Sequence, residues 1–198
     1  MSAMQRRNAP DLDHARLIAA SFAVLEQEGL DGLSMRRLAA ELGVQAPALY
    51  WHVDDKAALL GVMARDIYDA AHAAVPATAD WRTWLIHFGR ALRQSFARHR
   101  DGARLCATAT PTARADPAEH ARRISAPLIA LGLTQASALS FQAAVISYVL
   151  GWATFEANGP MHDFLDQMMT FGDNFPIGLE AMVSGFAPGQ IGGLERQG

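Results

Sequence analysis

The sequence predicts an all-α fold in two parts: an N-terminal three-helix unit holding a helix-turn-helix, and a larger C-terminal helical unit. Three observations predict it. Apolar residues recur at three- and four-residue spacing along most of the chain, and no run alternates as a half-buried strand does. Capping and stop residues bracket these runs, with Ser34 before one of them and Gly29, Gly43 and Gly132 after others. The 198 residues are 51% apolar and 19% charged, an ordinary globular composition long enough for one large domain or two small ones.

The elements follow in order. Ala15, Ile18, Ala19, Phe22 and Leu25 keep helical spacing, and Gly29 offers a stop. The stretch EGLDGLS reads as a turn, and Ser34 caps a short helix over residues 35–42 with Leu38 and Leu42 facing inward. Gly43 supplies a tight turn. Pro47 then sits early in a second short helix, where its missing N–H does no harm, and that helix runs to about residue 52. Asp54 or Asp55 caps a longer helix carrying Leu59, Leu60, Met63 and Ile67, which fades near Pro76.

Beyond it, Trp81, Trp84, Leu85, Phe88, Leu92 and Phe96 line one helix face that ends near RHRDG. A short segment around residues 105–109 stops at Pro111, and TPTARADPAEH reads as an exposed connection. A helix over about 117–131 ends at Gly132, with a kink or break expected at Pro127. The longest helix covers residues 134–156, a mobile Met- and Gly-containing stretch follows Asn158, Gly159 and Pro160, and a last helix spans about 177–184. The division expected is residues 1–55 and residues 56–198, with a connecting helix over about 56–75.

Composition narrows the function. One cysteine, Cys106, allows no intramolecular disulfide and suits a reducing cytoplasm. No secretory signal is apparent at the N-terminus, and the apolar stretch from Leu139 to Phe155 is interrupted by Ser140, Gln142, Ser147 and Thr154, short of a membrane span. Net charge is −3. Residues 1–65 hold seven Arg/Lys against eight Asp/Glu, whereas residues 82–104 hold six Arg against one Asp. Nucleic-acid binding, on this balance, needs a local patch and not a basic domain. No cofactor, catalytic residue set or metal site is expected.

The chemistry is concentrated in GVQAPALYWHVDDKAAL, residues 43–59. Two short helices joined by a glycine turn, the second opening on small residues, form a helix-turn-helix pattern. Leu38, Leu42, Val44 and Leu49 pin the pair together, which leaves Ala46, Pro47, Tyr50 and Trp51 on the outer face. Small residues let that helix approach a major-groove floor and pack on thymine methyls. Tyr50 is placed for base edges, sugar or phosphate, Arg36 for a guanine or phosphate, and Lys56 for phosphate.

The run GLSMRRLAAELGVQAPALYWHVDDKAALL resembles the DNA-binding domain of the tetracycline-repressor family, with LYWHVxxKxxLL its most specific part. RHRDGA followed by Pro111 and Thr112, and GLEAMVSG near the end, resemble the ligand-binding domain of the tetracycline repressors proper. The resemblance implies a homodimer on a palindromic double-stranded DNA operator, joined through helices about 134–156 and 177–184 and released by a small molecule. It places base contacts at Arg36, Gln45, Ala46, Pro47, Ala48 and Tyr50, and backbone or supporting contacts at Trp51, His52 and Lys56. At Ala46 the tetracycline repressors carry a glutamine, so a different operator is implied.

The same resemblance places the drug pocket and shows how far this chain departs from it. His72 falls on a drug-contacting histidine. Phe88 stands where the family has an asparagine, Cys106 where it has the histidine that binds the drug's Mg²⁺, and Thr110, before Pro111, where it has an arginine. Ile124 aligns near a pocket glutamine, and Phe155, beside Glu156, near a carboxylate from the second subunit. A thiol is a poor partner for Mg²⁺, so a hydrophobic or aromatic effector is expected in place of tetracycline–Mg²⁺. Its walls would be Phe88, Leu92, Phe141, Val145, Tyr148, Trp152 and Phe155. Two other readings stay open on sequence: a helical ligand-binding protein that has lost DNA binding, and a helical enzyme using Cys106 with His72, His99 or His120.

Overall fold

The structure is a computed structural model, which describes residues 13–110 and 116–187. Among the described residues there are ten helices and no strand. They are α1 (His14–Gly32), α2 (Met35–Leu42), α3 (Ala46–Leu49), α4 (Lys56–Ala73), α5 (Trp81–Ala97), α6 (Gly102–Thr108), α7 (Pro117–Ala130), α8 (Gln135–Ala157), α9 (Gly159–Asp166) and α10 (Phe171–Ser184). Pro111 and Thr112 lie outside the described residues.

Helix starts follow side-chain chemistry. Asp13, Ser34, Asp55, Asp80, Asp116, Thr134 and Asn158 each accept a backbone N–H of the first turn of the helix they precede. Two expectations need correction. Pro127 neither ends nor breaks α7, which runs on to Ala130. The stretch after Asn158 is helical: Asn158 caps α9 and Pro160 sits in its first turn, where a missing N–H costs nothing. The last helix also begins earlier than expected, at Phe171, and carries Pro176 within it. Pro176 has no N–H for the Gly172 carbonyl, and Arg93 Nη1 on α5 approaches that oxygen at 3.5 Å.

One apolar core runs through the whole molecule. Leu17, Val24, Leu25, Leu38, Leu49 and Leu59 fill the N-terminal part, and Leu85, Phe88, Leu92, Val145, Leu179 and Val183 the C-terminal part. Helix α4 packs on α1 at one side and on α5 and α6 at the other. At Gly89 the helices α5, α8 and α10 meet, and a Cβ there would lie 2.8 Å from a Leu179 methyl. Helix α8 at 23 residues is long and apolar enough to cross a membrane by length and composition, so its polar interruptions are not what sets it apart. Packing against α5, α6, α7, α9 and α10 does that, with Ser137 and Gln142 buried in the seams.

Candidate functional site

The helix-turn-helix forms where the spacing predicts, but α3 is a single turn that ends at Leu49, short of the residue 52 expected. Gly43 turns left-handed at φ 67°, its N–H donates to the Ala40 carbonyl at 3.2 Å, and Val44 N–H returns to Ala39 at 3.0 Å. Gln45 precedes α3 without spending its side chain on a cap, so its amide stays available. After the single turn of α3, the N–H groups of His52 and Val53 both reach the Leu49 carbonyl, at 2.9 and 3.1 Å. That fold-back buries Leu49 and Val53 and turns the residues between them outward.

Tyr50 is consequently 51% exposed and Trp51 89% exposed, extreme values for rings adjoining a buried leucine. With Pro47 they line a shallow depression of about 400 Å³ on the outer face of the unit. Arg36, Gln45 and His52 are exposed on the same unit, and Ala46 and Ala48 are half-buried. Arg37, one residue on from Arg36, is held by Glu28, Glu41 and Gln27 and belongs to the scaffold. Lys56, at the start of α4, has its Nζ 3.5 Å from the Leu30 carbonyl.

Two motifs that the sequence leaves far apart meet here. At Gly29 the chain leaves helical geometry (φ 73°, ψ 178°), which frees the Leu30 N–H and the carbonyls of Glu26 and Gln27. The corner between α5 and α6 takes up all three. Asp101 Oδ2 accepts the Leu30 N–H at 2.9 Å, and Arg100 Nη1 donates to Glu26 O at 3.3 Å and Gln27 O at 2.9 Å. Arg104 adds a two-pronged ion pair to Asp31, and His99 stacks on Phe22 with ring centres 4.2 Å apart. Asp101 itself is left-handed at φ 57°, and a Cβ on Gly102 would lie 2.5 Å from the Phe96 carbonyl oxygen. The corner is therefore shaped specifically to clamp the end of α1.

The ligand-lining candidates are divided by their ring contacts. His72 packs on Phe88 (centroids 4.5 Å) and Trp84 (5.5 Å) in the seam of α4 and α5. Burial above all drives the His72 imidazole down to about pH 4, with Arg123 and His120 adding to the effect against Asp69. Cys106 on α6 is buried, which pushes its thiol up to about 12. Such a thiol is inert at neutral pH, which removes the nucleophile that an enzyme reading required. Tyr68 lies near it, its phenol raised by burial and then by Cys106.

Leu92 and Val145 are fully buried, Ile124 is half-buried and Thr110 is exposed. Phe141 instead joins Trp81 and Phe186, and Tyr148, Trp152 and Phe155 join Phe171 and Phe175 on α10. Tyr148 is committed there, donating to the Phe175 carbonyl at 2.9 Å. Glu156 is taken within its own chain by Arg93, whose guanidinium also lies 4.5 Å over Phe175. Sequence reasoning missed one group altogether. Arg65 and Asp69 on α4 and His120 and Arg123 on α7 come together beside His72, joined by an Arg123–Asp69 bond of 2.6 Å. The i, i+4 spacing of Arg65 and Asp69 was the available signal.

The outer face of α8 is left uncovered. Ala143, Ser147, Gly151 and Thr154 are exposed, with Leu139, Ile146 and Leu150 half-buried around them. Val149 and Ala153 on the same helix are buried within the chain. Ile177 on α10 is 63% exposed.

Comparison with known proteins agrees with this architecture. The family described as "Bacterial regulatory proteins, tetR family" matches residues 17–63, and "Tetracyclin repressor-like, C-terminal domain" matches residues 75–188. The chain is similar to the tetracycline repressor protein class A from transposon 1721 of Escherichia coli, 46% identical over 99 residues, 49% of this chain and 46% of that protein. It thus spans about half the length of the curated relatives it matches. The crystal structure of TetR from Acinetobacter baumannii AYE superposes with a TM-score of 0.71 at 31% identity, covering 89% of this chain and 97% of that one. TetR (class A) in complex with 5a,6-anhydrotetracycline and magnesium gives 0.67 at 29%, covering 88% and 97%. The chain belongs to the tetracycline-repressor family of bacterial regulatory proteins, a family of transcription regulators and not of enzymes.

Proposed function

We propose that this chain is a ligand-responsive transcriptional repressor that works in the cytoplasm as a homodimer on a palindromic operator. The observation that carries the reading is Trp51 and Tyr50 held outward beside buried Leu49 on the outer face of a helix-turn-helix. Exposing two large rings is costly for a free monomer, and a groove edge and sugar–phosphate surface would cover them. Ala46, Pro47 and Ala48 offer methyl and methylene groups to thymine, and Arg36, Gln45 and Tyr50 offer the hydrogen bonds. Ala46 cannot pair with adenine as a glutamine does, so the operator differs there from that of a tetracycline repressor. Lys56, turned toward Leu30, plays a smaller part in phosphate binding than its position suggests.

Dimerisation is assigned to the uncovered faces of α8 and α10, where Ile146, Leu150 and Ile177 would be buried against a second copy. The effector site is assigned to the α4–α5–α6 region around His72, Phe88 and Cys106. A relative holds magnesium with its drug, but a buried, protonated Cys106 thiol is no ligand for that ion. A hydrophobic or aromatic effector suits the ring-lined seam better. A ligand bound there acts on DNA by preferring one placement of α4, which carries His72 at one end and follows the reading head at the other.

Selection of genomic DNA fragments with the purified protein tests this reading. One short palindrome is expected to be enriched, with Arg36→Ala reducing its recovery; enrichment of no fragment would overturn it in favour of a ligand-binding protein without DNA binding.

A further inference from the structure

Beside the His72 seam the charges do not balance. Arg65, Asp69 and His72 lie on one stripe of α4, and α7 presents His120 and Arg123 to it. Arg123 Nη1 bonds Asp69 Oδ1 at 2.6 Å, Arg65 Nε lies 3.5 Å from Asp69 Oδ2, and Arg123 Nη2 lies 3.4 Å from His120 Nδ1. Two guanidiniums therefore share one carboxylate. By contrast, Arg90 pairs with Glu180 and Arg93 with Glu156, and Arg37 faces two carboxylates, Glu28 and Glu41.

The charged groups that act on the two histidines are Arg65, Asp69 and Arg123, and both imidazoles are held toward the neutral form. The local sum is one positive charge. Arg123 and Asp69 are each 40% exposed and Arg65 is 62% exposed, so donors remain turned outward. One turn along α4 from Asp69, the half-buried ring of His72 packs on Trp84 and Phe88, which are buried behind it. A cationic fork next to stacked rings matches a flat aromatic body bearing a carboxylate.

We infer that the effector of this protein is an aromatic organic acid, its carboxylate taken by Arg123 with Arg65 behind it and its ring directed to the His72–Trp84–Phe88 group. The inference rests on the effector site proposed above and names its ligand class. The surplus charge is neutralised by the bound carboxylate, which in turn favours protonation of His120.

Equilibrium binding of 2-naphthoate and of its uncharged amide to the full chain, in the absence of DNA, tests it. The acid is expected to bind at least tenfold more tightly than the amide. Arg123→Gln and Arg65→Gln should each remove most of that preference, while Arg90→Gln leaves it intact. Proton NMR should show the His120 titration moving to higher pH on addition of naphthoate. Equal affinity for acid and amide, binding of neither, or a preference that survives both arginine substitutions would overturn the assignment. Because no operator enters the measurement, failure of the regulator reading would show separately, in the genomic selection.

Discussion

Replacing Asp101 isolates the join between the reading head and the rest of the molecule. Asp101 accepts the Leu30 N–H that the break at Gly29 frees, and it does so from a left-handed backbone. In Asp101→Ala the buried N–H loses its acceptor, at a cost of about 1–3 kcal/mol, and alanine adds about 1–2 kcal/mol for left-handed geometry. The total is about 3 kcal/mol. Asp101→Asn keeps an acceptor oxygen and tolerates the backbone, so about 1 kcal/mol is expected from loss of the charge. Asp101→Gly relieves the backbone but loses the bond and falls between them. Urea unfolding followed by circular dichroism reads all three, with an unchanged denaturant slope expected. Hydrogen exchange at the Leu30 amide should accelerate in Ala and Gly and hold in Asn. Equal losses for Ala and Asn, or an unaltered Leu30 amide, would refute the clamp.

Other outcomes follow from the same geometry. His72 titrates near 4 in the folded chain and near 6.5 unfolded, so below pH 6.5 the unfolded chain takes up a proton that the native chain refuses. Stability should therefore fall between pH 6.5 and 4, by about 3 kcal/mol from this group, and the loss should be smaller in His72→Phe when the two pH–stability curves are subtracted. Cys106, with its thiol pushed up to about 12, should resist iodoacetamide at pH 8 in the folded protein and react at once in denaturant, as mass spectrometry would show. Gly178→Ala would place a Cβ 2.3 Å from the Tyr148 hydroxyl oxygen and break its bond to Phe175. About 2 kcal/mol of thermal stability should be lost, most of it regained when Tyr148→Phe is added.

Much of the fold is legible in the sequence because it is written in local chemistry. Ser34, Gly43, Pro47 and Asp55 act within four residues of themselves, and each sits where its cap, turn or first-turn role requires. Pro127 misleads because a proline's cost is local, while the packing of α7 on α8 that holds the helix together is not. The α9 helix is missed because Met and Gly suggest looseness, yet Asn158 and Pro160 spell a helix start. The reading surface is legible because three adjacent large residues cannot share one helix face. The ligand region is less so. Its apolar stripe on α8 is visible, but which rings meet is decided by α5 and α10, so Phe141 and Trp152 part company with His72. The clamp of Asp101 on Leu30 joins residues 71 positions apart, beyond the reach of any periodicity.

The outward Tyr50 is the point on which the regulator reading turns. Fluorescence anisotropy with the selected operator, comparing the wild-type chain with Tyr50→Ala at matched salt, tests it most directly. At least tenfold weaker binding is expected for the variant, with helical content and unfolding midpoint unchanged because the ring contributes little to the core. Equal affinity of the two proteins for the operator would contradict docking through this face.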